Sequence, residues 1–110
     1  MSMDSYAEKI RRLSHAVLDT PGALSPTVRH AVAARGAGRT DPPGNALPAA
    51  LAAYVDTVTL HAYRVTPEDI AGLRAAGFSD DAIFEAILSA ALGAGLTRLE
   101  QGLAALRKGR

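Results

Sequence analysis

HAYRVTPEDIAGLRAAGFSDDAIFE, residues 61–85, holds the end of one helix, the whole of a short helix and the start of a long one. Thr66-Pro67-Glu68-Asp69 is a helix start: threonine accepts from orphan amides, proline fits the first helical position, and two acids face the positive helix end. Gly77 suits the left-handed residue that closes a helix, and Ser79-Asp80-Asp81 opens the next by the same capping chemistry.

Downstream, residues 79 to about 106 read as one helix with a broad apolar face of Ile83, Phe84, Ile87, Leu88, Ala91, Leu99, Leu103 and Leu106. Its middle, Ala90-Ala91-Leu92-Gly93-Ala94-Gly95, lacks bulk. Each interior glycine costs roughly 0.5–1 kcal/mol against alanine, so a close helix crossing is the expected compensation, within the chain or across a symmetry axis. Upstream, Leu47, Leu51, Tyr54, Val58, His61 and Val65 share one helical face. The β-branched residues in that segment hint at a strand, but the surrounding alanines and the poor period-two alternation favour helix. Before it, residues 36–46 are a Gly/Pro/Asn-rich loop without P-loop spacing. Ser25-Pro26 opens a helix to Gly36, with Val28, Ala31 and Val32 inward and Arg29, His30 and Arg35 outward. Ser5-x-x-Glu8 has capping-box form and precedes a stripe of Tyr6, Ile10, Leu13 and Val17. The chain therefore predicts an all-α, single-domain bundle of about five helices, near 5–18, 26–35, 47–65, 67–76 and 80–106, with 1–4 and 108–110 as loose ends.

Composition narrows function. Twelve basic residues against eleven acidic ones, scattered along the chain, give no electrostatic case for nucleic acid or anionic lipid. The absence of cysteine removes disulfides, thiolate nucleophiles and cysteine-bound zinc. His15, His30 and His61 lie on three separate helices, so no metal and no other cofactor is expected. No apolar run looks long enough to span a bilayer, which makes a cytoplasmic location the expectation. Much of the apolar content is alanine, which buries little area, so a homo-oligomer is expected to complete the core.

The helix end, the short helix closing in Ala75-Ala76-Gly77, the cap at Ser79-Asp80-Asp81 and the alanine-rich helix after it resemble the carboxymuconolactone decarboxylase and alkylhydroperoxidase D-like family over residues 54–106. Active alkylhydroperoxidase-like members carry Glu-x-x-Cys-x-x-Cys-x-x-x-His ahead of that glycine. Placed from Gly77, those positions fall at Thr59, Ala62, Val65 and Asp69. A register placing the histidine at His61 puts the cysteines at Tyr54 and Thr57. Neither register supplies a thiol, so the family's peroxide chemistry is excluded.

The resemblance then implies one of two functions. One is a homo-oligomeric binding or accessory module with a small organic acid as ligand. The other is a lyase- or hydrolase-like enzyme acting on a small acid or lactone, with His61 as general acid/base, Tyr54 and Glu85 as its neighbours, and Arg64 or Arg98 holding a carboxylate. At each of these positions a plain packing or surface role is the competing reading.

Overall fold

The computed structural model describes residues 3–38, 47–61 and 65–109. Five helices follow in order: α1 (Met3–Leu18), α2 (Pro26–Gly36), α3 (Ala49–His61), α4 (Pro67–Ala75) and α5 (Asp80–Lys108). There is no strand among the described residues, and the all-α bundle stands.

The punctuation around α4 matches its sequence. Thr66 accepts from the Asp69 amide at 3.3 Å while the Asp69 carboxylate accepts from the Thr66 amide at 2.9 Å, a reciprocal capping box. At the other end Gly77 takes φ +100. The Gly77 amide then reaches the Arg74 carbonyl at 3.0 Å and the Phe78 amide the Leu73 carbonyl at 3.1 Å, a complete Schellman stop. Leu73 is buried and Phe78 packs against the same core, supplying the hydrophobic contact that accompanies the motif. Ser25 and Ser79 cap α2 and α5 through the Val28 and Ala82 amides.

The core joins Leu24, Val32, Leu51, Val55, Leu73 and Ile83 to a layer of small residues, Ala82, Ala86 and Ala90. The most extensive helix contact is α2 on α5. There the backbones nearly touch: a Cβ on Gly93 would land on the Ala33 carbonyl, and one on Gly36 would sit 2.5 Å from the Ala90 carbonyl oxygen. The glycine-poor-in-bulk middle of α5 is thus used inside the chain at Gly93, whereas nothing lies within 4 Å of a Cβ on Gly95.

Several sequence expectations need correction. Arg29 is not outside but 2% exposed, because its guanidinium is committed to the α1–α2 turn. Helix α1 starts at Met3, so Ser5 lies within it and Glu8 pairs instead with Arg11 at 2.6 Å and Arg12 at 3.3 Å. Tyr6 and Leu13 stay exposed, since α1 is fastened mainly near Leu18. At the far end, Lys108 is still helical. Val55 joins the core, turning the buried arc of α3 away from His61. The broad apolar face of α5 divides: Ile83 is buried and Ile87 half-buried, while Phe84, Leu88, Leu99 and Leu106 face outward. Finally, against the expectation that no apolar run is long enough, α5 is long and apolar enough, by length and composition only, to cross a membrane; 33% of its apolar 18-residue window is buried in the fold.

Candidate ligand cleft

The C-terminal ends of α2 and α3 converge on the middle of α5 and leave an open cleft of about 620 Å³. Arg35, in the last turn of α2, forks onto Asp56 of α3 through Nε–Oδ1 at 2.7 Å and Nη2–Oδ2 at 2.8 Å. The guanidinium beside it, by hydrogen bond and then by charge, holds the Asp56 carboxyl below its usual range despite partial burial. This pair fixes one wall. The opposite wall comes from α5, where Ala94, Thr97, Arg98 and Gln101 share a side of the helix. Arg98 is exposed and has no ion-pair partner among the described residues. Between the walls, the Thr59 hydroxyl is buried with no hydrogen-bond partner.

A smaller hollow of about 340 Å³ separates α3 from α4 and is lined by Tyr54, Thr57, Glu68 and Asp69. Tyr54 is 6% exposed. Burial first, then the Asp69 charge, pushes its hydroxyl above the usual phenol value, so it stays protonated and cannot serve as a base near neutral pH. Asp69 spends one carboxylate oxygen on the α4 cap.

The three residues proposed as a catalytic group do not meet in one pocket. His61 is exposed in the last turn of α3, about 70° around the helix from the centre of its buried arc at 100° per residue. Tyr54 faces the α3–α4 hollow. Glu85 points elsewhere: its carboxylate accepts from the Ala23 amide at 2.8 Å and the Leu24 amide at 3.0 Å. Arg29 lies 3.9 Å from it and donates to the carbonyls of Val17, at 2.8 Å, and Thr20. Together Arg29 and Glu85 finish the C-terminus of α1 and fasten the α1–α2 turn to α5. Arg64 lies outside the described residues.

Sequence reasoning missed Asp56 and the inward role of Arg35. Asp56 is two residues from Tyr54 on a different face of α3, and only the crossing of α2 over α3 reveals its partner. No protein-family model matches the chain, and no curated protein matches it.

Proposed function

We propose that the protein is a non-catalytic, cytoplasmic, homo-oligomeric module that binds a small organic acid in the α2–α3–α5 cleft, a divergent relative of the carboxymuconolactone decarboxylase and alkylhydroperoxidase D-like family. One observation carries the ligand: Arg98, without a carboxylate partner among the described residues, lines the same cleft as the buried, unpartnered Thr59 hydroxyl. A carboxylate would supply the missing charge beside Arg98, while a short apolar body would lie against Leu60 and Ala94. The family resemblance rests on the capped α4–Gly77–α5 junction. The absence of cysteine separates this chain from the family's redox members.

The acid–base reading gains nothing from the geometry, since the described cleft lining contains no histidine and Glu85 is already engaged with two amides. Titration calorimetry against a panel of short mono- and dicarboxylates tests the proposal. At least one should bind, and Arg98→Met should weaken it tenfold to a hundredfold, matching the roughly 1.5–3 kcal/mol of a charge-assisted hydrogen bond. Equal binding to the Arg98→Met variant would overturn the assignment.

A further inference from the structure

We infer that the outward face of α5 is a self-association surface, on which a second copy of this chain lies antiparallel about a two-fold axis at Gly95. The inference rests on the homo-oligomeric part of the proposal and is independent of the ligand.

Seven exposed positions form one line along α5: Phe84, Leu88, Ala91, Gly95, Leu99, Gly102 and Leu106. They follow an eleven-residue repeat (84/95/106, 88/99, 91/102), close enough to 3.6 residues per turn for the line to run almost straight for about 33 Å. The large members are well exposed, Phe84 at 63% and Leu106 at 55%, with Leu88 and Leu99 each at 41%. Beyond Gly93 no described residue of α5 is buried. A helix of that length standing alone in water is marginal, so this half needs a surface to lie against.

The order of sizes identifies the occupant. Reversed about Gly95, the line is complementary to itself: Leu88 falls over Gly102 of the second copy, Leu99 over Ala91, and Gly95 meets Gly95 with nothing of its own chain within 4 Å of a Cβ there. At each end Phe84 meets Leu106 of the second copy. Phe84 also borders a hollow of about 270 Å³ with Ile70, Ile83 and Ile87, edged by the Arg74–Asp80 ion pair. The helix dipole selects the same direction. Antiparallel copies oppose the two helix dipoles, whereas parallel copies would align them.

The native lack of cysteine provides a clean test. Gly95→Cys should cross-link to a dimer under mild oxidation at micromolar concentration, while Gly72→Cys, on exposed α4, should not; a disulfide requires Cα atoms within about 7 Å. Sedimentation of the unmodified protein should give about twice 11.4 kDa. Leu99→Glu should raise the dimer dissociation constant about a hundredfold with helicity unchanged. A monomer at high micromolar concentration would overturn both this inference and the homo-oligomeric reading. So would a monomer that instead sediments with phosphatidylcholine vesicles. An oligomer that resists Leu99→Glu and cross-links no better at position 95 than at 72 would leave the homo-oligomer standing and overturn the α5 surface.

Discussion

At Arg29 a single side chain decides how α1 joins the fold. Its side chain is 2% exposed; the two terminal nitrogens donate to the carbonyls of Val17 and Thr20, while Nε has no hydrogen bond and lies 3.9 Å from the Glu85 carboxylate. The carbonyls at a helix C-terminus have no partner within the helix and carry its negative end, so a buried cation is well placed there. Glu85 does the complementary work for the next turn, accepting from the Ala23 and Leu24 amides as the chain enters α2. Removing one partner of such a group leaves a buried charge and two carbonyls unmet, which is costlier than never having built it. Arg29→Met should therefore lower unfolding free energy by about 3 kcal/mol or more. Glu85→Gln keeps an acceptor oxygen and should cost less. Urea denaturation of the two variants gives the comparison; an Arg29→Met midpoint close to that of the native protein would show that solvent takes over the capping of α1.

The short helix α4 and its two boundaries were legible in the sequence because each boundary depends on neighbours along the chain. Thr66 and Asp69 satisfy each other three residues apart, and Gly77 closes the turn through Arg74 and Leu73. The candidate site was not legible for the opposite reason. Arg35 and Asp56 are 21 residues apart, Arg29 and Glu85 are 56, and their pairing follows from helix crossings that periodicity does not encode. His61 looked inward because a stripe of apolar residues led to it, but the arc of α3 turned with Val55 and left the last turn uncovered. The same division of local from nonlocal causes gives a prediction at this scale. Gly77 has open space around a Cβ but holds φ +100, so Gly77→Ala should destabilise by about 1–2 kcal/mol through backbone strain alone. Gly72, inside α4 and equally open, should gain about 0.5–1 kcal/mol when replaced by alanine. Thermal melts of the pair should move in opposite directions; a shift of the same sign would refute the assignment of strain to residue 77.

Over the whole molecule, α5 serves three directions at once. With 100° per residue, Ala86, Ala90 and Gly93 face α2, Ala94 and Arg98 sit about a quarter turn away on the cleft, and the Phe84–Leu106 line lies nearly opposite the core face. The arrangement leaves an elongated chain, with a radius of gyration of 15.1 Å and a long axis of 51 Å, where a compact domain of this size would have a radius near 13 Å. The inner crossing carries the load, because the core it closes is thin in bulk and the α2 and α5 backbones pass almost in contact. Alanine at position 93 would improve local helix propensity by about 0.5–1 kcal/mol, yet its methyl would meet the Ala33 carbonyl, a backbone group that cannot rotate away. The helices must then separate, and since Gly36 and Ala94 line the cleft beside this crossing, the cleft must widen with them. Gly93→Ala is accordingly expected to cost about 1–3 kcal/mol net, a fall in melting temperature of about 4–8 °C for each kcal/mol, and to weaken carboxylate binding in parallel. Scanning calorimetry and ligand titration on the same variant check both halves. A lower melting temperature with binding intact would mean that the cleft is held by the Arg35–Asp56 pair rather than by the spacing of α2 and α5.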